Sequence, residues 1–126
     1  HSVFLMYYHL VLVIKYRRKV IDDEISARLR EIFEYIAPNY GLAIEEWNHD
    51  RDYVHVLFTG QPKSALSKFI NAYKSASSRL IKKEFPAIRE KLWKEYFWSQ
   101  SFCLLTTGGA PIEIIREYIR AQENKN

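Results

Sequence analysis

Four side chains in this sequence have the types and spacing to do chemistry. Tyr53 and His55 lie two apart in Asp52-Tyr53-Val54-His55-Val56-Leu57-Phe58. β-Branched and aromatic residues between the charged Asn48–Arg51 and the break Gly60-Gln61-Pro62 predict a strand. Strand alternation puts Val54, Val56 and Phe58 on one face and Tyr53, His55 and Leu57 on the other, with the phenol and imidazole about 6–7 Å apart along the chain. Packing has no use for either polar tip, so their face looks onto something wet: a groove, a partner or a site. Tyr118 and Gln122 form the second pair, four apart on a helical pattern and therefore projecting together. Taken alone, each pair also has a plainer account. His55 can be a hydrogen-bonded histidine on a half-exposed sheet, and Tyr118 a boundary residue with a buried ring and a wet hydroxyl.

The elements that must position these groups follow from periodicity. Val3–Ile14, rich in β-formers, predicts a first strand. Asp22-Asp23-Glu24 caps a helix whose apolar face is Ile25, Leu29, Ile32 and Ile36, and Pro38-Asn39-Tyr40-Gly41 stops it. Leu42–Trp47 and Tyr53–Phe58 form a hairpin across Asn48–Arg51. Leu66, Phe69, Ile70, Tyr73, Leu80 and Ile81 mark one face of a long helix ending near Phe85-Pro86. A fourth strand is expected over Phe97–Thr106. A final helix, about residues 110–123, opens at Pro111 after Gly108-Gly109 and carries the stripe Ile112, Ile115, Ile119. The order β-α-β-β-α-β-α makes an α+β chain: a ferredoxin-like antiparallel sheet with helices on one face, plus the last helix. It puts Tyr53 and His55 on the face those two helices leave open.

The 126 residues fit one domain, 1–126, able to build a core without staples. One cysteine, Cys103, excludes an intramolecular disulfide and a cysteine-rich zinc site, and fits a cytoplasmic setting. The longest apolar run, Leu10–Ile14, is strand-sized, and no membrane role or signal peptide is expected. The net charge of +4 is unevenly spread: Lys63–Lys94 holds nine bases against two acids, a local +7, and Lys15-Tyr16-Arg17-Arg18-Lys19 is a second basic cluster. Bases interleaved with aromatics suit a nucleic-acid backbone. A Gly-rich phosphate loop, a paired-cysteine motif and a workable Ser/His/Asp arrangement are all missing. Ser77-Ser78 suit close packing or a phosphate contact better than nucleophilic attack. Trp47, Trp93 and Trp98 are read as core, Trp98 being the best placed to stack on a base.

Several segments in register resemble the small single-tyrosine (HUH-type) transposases of bacterial and archaeal insertion sequences. Tyr8-His9-Leu10-Val11 with Lys15-Tyr16-Arg17-Arg18-Lys19-Val20 looks like their N-terminal signature. Asp52–Leu57 is similar to their His-hydrophobe-His strand, and Lys74–Arg79 with Glu84-Phe85-Pro86 to their basic second helix. Leu92-Trp93, Phe97-Trp98-Ser99, Thr107–Pro111 and Tyr118–Gln122 match the closing segments. The resemblance implies Tyr118 as catalytic nucleophile on single-stranded DNA, giving a 5′-phosphotyrosine and a free 3′-hydroxyl. It implies Mg²⁺ or Mn²⁺ held by the histidine pair and Gln122, hairpin DNA at element ends as partner, and a homodimer in which active sites can be shared. Lys15, Arg17, Arg18, Lys74 and Arg79 would be its phosphate contacts.

One position departs from the pattern: Tyr53 stands where the first histidine belongs, leaving His55 and Gln122. A phenol must lose its proton to bind a metal well. Asp52 should face away from His55, and His49 lies in the turn. Three readings follow: a weak site completed by water and DNA oxygens, a catalytically dead relative kept for hairpin binding, or an engineered substitution. An RNA-binding ferredoxin-like domain is disfavoured because no central strand carries the aromatic run used for base stacking. The concentrated +7 segment argues against a purely structural protein.

Overall fold

The computed structural model describes residues 5–61, 65–106 and 112–122, with the side chains of the last helix described from residue 116 onward. Strands β1 (Met6–Val13), β2 (Ala43–His49), β3 (Tyr53–Gly60) and β4 (Cys103–Thr106) alternate with helices α1 (Asp23–Ile36), α2 (Leu66–Glu84) and α3 (Ile112–Ala121) as the periodicity predicts. They form one antiparallel sheet in the order β2-β3-β1-β4, which is the ferredoxin-like arrangement. β1 and β3 are the two central strands.

Local chemistry explains the helices. Asp22 caps α1 by accepting from the Ile25 backbone N–H at 2.8 Å, and Asp23 and Glu24 complement the dipole of the first turn. Pro38 then diverts the chain into a 3-10 turn that closes on Gly41, whose φ of 70° is the left-handed conformation glycine adopts without cost. Phe33 of α1 stands edge-on to Phe58, Phe69 and Tyr73, joining α1, α2 and β3 in one core. The Tyr73 hydroxyl donates to the Leu29 carbonyl at 2.9 Å, so this large buried ring leaves no polar atom unpaired.

Val54, Val56 and Phe58 are fully buried beneath the helices, while Tyr53, His55 and Leu57 on the opposite face are half-buried. On β1 the same alternation sends Leu10 and Leu12 to the core and His9, Val11 and Val13 to the other side. A bulge between Ile44 and Glu46 shifts the β2 register by one residue. Trp47 thereby joins the core against Phe33, its indole N–H bonded to Ser26, and Glu46 and Asn48 fall on the face of His55.

The structure redraws three boundaries. β2 runs Ala43–His49 rather than the expected Leu42–Trp47, so His49 pairs with Val54 inside the strand instead of lying in the turn. β1 is shorter than the expected Val3–Ile14, and Val3 itself lies outside the described residues. β4 covers only Cys103–Thr106 of the expected Phe97–Thr106. Trp98 keeps a single bridge to Ile14 and Ser99 donates its N–H to the Val13 carbonyl, but the chain then leaves the sheet. Short hydroxylated side chains compete with the strand ladder, and Ser99 and Ser101 both turn towards α3. The turns Pro86–Lys91 and Trp93–Glu95, unforeseen from periodicity, fill the gap between α2 and Trp98. The expected break at Gly108-Gly109, the opening proline Pro111 and the side chains of Ile112 and Ile115 lie outside the described residues.

Candidate active site

The open face of the sheet is not bare. α3 lies across β1, and Ile119 is buried against Val11 and Val13, with Tyr53, Tyr118, Cys103 and Leu105 around it. Burial of Ile119 places Tyr118 and Gln122 over the sheet. The Tyr118 hydroxyl shares a hydrogen bond with Ser101 Oγ at 2.9 Å. Gln122 is only 4% exposed, and its Oε1 accepts from Ser99 Oγ at 2.9 Å and Ser101 Oγ at 3.3 Å. The helical i, i+4 pair therefore converges on one small segment, Ser99–Ser101. Burial, more than any other influence, raises the Tyr118 pKa above that of a free phenol.

The second group is a histidine pair. His55 lies opposite Val11 and His9 opposite Leu57, so the imidazoles are diagonal neighbours on β1 and β3. His9 Nδ1 and His55 Nε2 are 2.9 Å apart, with ring centroids separated by 5.1 Å. Burial lowers the His55 pKa, the proximity of His9 lowers it further, and Glu46 opposes both. His55 is therefore neutral at pH 7 and keeps a lone pair for a proton or a metal ion. Tyr53 behaves oppositely: burial first, then Asp50 and Asp52, push its pKa up, which keeps the phenol protonated and a poor ligand.

The two groups make separate hydrogen bonds: His55 with His9, and Gln122 with Ser99 and Ser101. Among the described residues no cluster of three or more His, Cys, Asp or Glu side chains could hold a metal ion. The His9–His55 nitrogens nevertheless fit one divalent cation as adjacent ligands, and the Gln122 carbonyl oxygen is a donor of the right kind held by two hydroxyls. Asp52 is buried on the opposite side and paired with Arg17 at 2.8 Å. His49 sits at the end of β2 with Nε2 3.2 Å from Asp23. Neither reaches the histidine pair.

The expected basic contacts divide. Arg18 and Arg79 are exposed, whereas Arg17 is held by Asp52. Lys15 is only 4% exposed, its Nζ 4.5 Å from the Tyr96 ring centre and 5.2 Å from that of Trp93. This cation lies within the fold, stabilised by aromatic faces. Lys74 donates to the carbonyls of Ser99 and Gln100 at 2.8 and 3.0 Å. With Ser75, Ser78 and Lys82 it lines an open groove that also takes in Ser99 and Gln100. Ser77 and Trp98 are buried and bonded to each other, so Trp98 borders the groove with little of its indole free to stack on a base.

His9, Ser99 and Ser101 are the site residues that the sequence reading passed over. His9 had a signal: odd-numbered positions of β1 share a face, and β1 and β3 are central neighbours in this topology. The serines had none, because their role depends on where β4 begins.

The family model described as "Transposase IS200 like" matches residues 2–122. The chain belongs to the IS200-like transposase family. It is 34% identical over 123 residues to the ISDra2 transposase TnpA of Deinococcus radiodurans, spanning 98% of this chain and 88% of that protein. With the IS200 transposase of Salmonella typhimurium it shares 27% identity over 115 residues, covering 91% and 75% of the two chains. A crystal structure from Deinococcus radiodurans R1, itself assigned as a transposase, superposes with a TM-score of 0.86 at 33% identity, over 96% and 93% of the two chains. A REP-associated tyrosine transposase bound to a REP hairpin has the same fold, with a TM-score of 0.62 at 11% identity over 94% and 67%. The α+β architecture is thus that of known tyrosine transposases.

Proposed function

We propose that this IS200-like transposase cleaves and rejoins single-stranded DNA at insertion-sequence ends, with Tyr118 as the nucleophile. The observation that carries the reading is the convergence of Tyr118 and Gln122 on Ser101 over the open face of the sheet. The phenol loses its proton and its oxygen attacks the scissile phosphorus. The bond from phosphorus to the 3′ oxygen breaks, that oxygen takes up a proton, and the 5′ phosphate remains on tyrosine. Attack by a 3′-hydroxyl reverses the exchange, and the covalent link conserves the phosphodiester energy, so no nucleotide hydrolysis is required. His55 and Gln122 would hold Mg²⁺ or Mn²⁺, which supplies positive charge to the phosphate when bound.

Hairpin DNA is the proposed partner. A fold neighbour is described in complex with a hairpin, and the groove lined by Lys74 and Lys82 also takes in Ser99, whose hydroxyl holds Gln122. The proposed assembly is a homodimer in which α3 of one subunit can serve the site of the other; light scattering with and without DNA tests it.

A second reading has its own support. Tyr53 occupies a ligand position with a protonated phenol, which favours a catalytically impaired or domesticated hairpin-binding module of the same fold. Incubation with Mn²⁺ and labelled single-stranded DNA from the flanks of the encoding locus, run on a denaturing gel, separates the two. A slow-migrating adduct absent from Tyr118→Phe supports the nuclease. An adduct formed only by Tyr53→His marks a scaffold silenced at one ligand. Hairpin binding without an adduct in any lane selects the binding module.

A further inference from the structure

We propose that His9 supplies the imidazole that Tyr53 does not, so that His9 and His55 together form a two-nitrogen site for a borderline divalent cation. The inference rests on the reading of the open sheet face as metal-dependent, and names a ligand outside the His-hydrophobe-His strand.

Geometry is the first support. His9 Nδ1 and His55 Nε2 are 2.9 Å apart. Two ligands at right angles around an ion, each about 2.0–2.1 Å from it, are separated by roughly 2.8–3.0 Å. The pair is hydrogen-bonded at that separation, so loading an ion requires the shared proton to leave the facing nitrogens and the rings to turn their lone pairs off the N–N line, without movement of β1 against β3. Those strands are the centre of the sheet, which holds the spacing rigidly.

The surroundings are the second support. Asn48 is paired with His55 across β2 and β3, and Glu46 with Leu57, so alternation brings a carboxamide and a carboxylate to the border of the imidazoles. The bulge after Ile44 is what brings Glu46 to this face in place of Glu45. On the other flank the neighbours are apolar: Val11 lies between His55 and Cys103, and His9 is paired with Leu105. Water and phosphate oxygens would complete the coordination. Two imidazole donors select Mn²⁺, Co²⁺ or Zn²⁺ over Mg²⁺, which prefers an all-oxygen shell.

The test is Mn²⁺ binding by the full chain without DNA, followed by the loss of the free-ion electron paramagnetic resonance signal. Wild type should bind one Mn²⁺ per chain. His9→Ala and His55→Ala should each weaken binding by about tenfold or more, whereas Tyr118→Phe should not change it. Wild-type histidine ring signals in nuclear magnetic resonance provide a check that needs no variant: trace Mn²⁺ should broaden those of His9 and His55 together. Unchanged Mn²⁺ affinity in His9→Ala with loss in His55→Ala would overturn the inference. So would broadening of His55 without His9, or the absence of Mn²⁺ binding in wild type. The adduct assay reports separately on the nuclease. An adduct alongside Mn²⁺ binding that ignores His9 removes this inference and keeps that reading. Mn²⁺ binding through both histidines with no adduct keeps the site and removes the nuclease.

Discussion

The Ser99 hydroxyl donates to Gln122 Oε1 at 2.9 Å in a buried contact, tying the last described turn of α3 to the segment that leads into β4. Lys74 grips the same segment from the other side through the Ser99 carbonyl. A residue pair 23 apart in sequence thus links the basic helix to the tyrosine helix through three residues, Lys74, Ser99 and Gln122.

Replacing Ser99 and Ser101 together by alanine should loosen α3. Both hydroxyl donors to the Gln122 carbonyl are then gone, and an unsatisfied buried acceptor costs about 1–3 kcal/mol. Hydrogen exchange should accelerate in the amides of α3 and stay slow in β1 and β3, because the core of the sheet is untouched. Equal protection of α3 in variant and parent would show that the apolar contacts of Ile119 alone hold the helix.

Cys103 reports on the same docking. Burial raises its thiol pKa above the ordinary value, so less reactive thiolate is present at any pH below that pKa. It packs in the cluster that Ile119 covers. Alkylation by iodoacetamide at pH 8 should therefore be slower than for a free cysteine, rise with pH towards the elevated pKa, and accelerate several-fold in Ile119→Ala. A rate in the parent equal to that of a small thiol would contradict the packing of α3 on the sheet.

Much of this architecture can be read in the sequence because it is written in local periodicity. The alternation Tyr53-Val54-His55-Val56 assigns the two faces of β3, and the Asp22 cap starts α1 where it is found. What could not be read depends on pairing across the chain. His9 meets His55 only through the β1–β3 register, over a separation of 46 residues. Lys15 looks like part of a solvated basic run until Trp93 and Tyr96 are brought over it by two turns with left-handed residues. Ser99 reads as strand interior because Phe97-Trp98 has strand composition, yet its hydroxyl is committed to Gln122.

Ser77→Ala tests the buried link between α2 and Trp98. Ser77 Oγ donates to the Tyr73 carbonyl at 2.6 Å and accepts from the Trp98 indole N–H at 2.9 Å. Alanine leaves that N–H without its partner inside the core, an expected loss of about 1–3 kcal/mol. Urea unfolding should show a lower midpoint with an unchanged slope. A loss below about 0.5 kcal/mol, the level of an ordinary surface change, would mean that another acceptor replaces the hydroxyl.

Salt dependence of hairpin binding should separate the basic residues that face solvent from those the fold has absorbed. Each phosphate contact neutralised by a Lys or Arg adds about 0.7 to the slope of log affinity against log salt for a single strand, and about 0.9 for a duplex. Arg18 and Arg79 are exposed, so Arg18→Ala and Arg79→Ala should each reduce the slope by about one contact and leave thermal stability within about 0.5 kcal/mol of the parent. Lys15 should behave in the opposite way. Its Nζ faces the rings of Tyr96 and Trp93 inside the fold, where cation–π attraction contributes about 0.5–2 kcal/mol. Lys15→Met preserves the packed stem and removes the charge, so it should lower the melting temperature while leaving the salt slope unchanged. Fluorescence anisotropy of a labelled hairpin across a salt series, with melting of the free proteins in parallel, measures both. A reduced slope in Lys15→Met would show that the ammonium leaves its aromatic cage to meet phosphate, and that the buried position describes only the DNA-free chain.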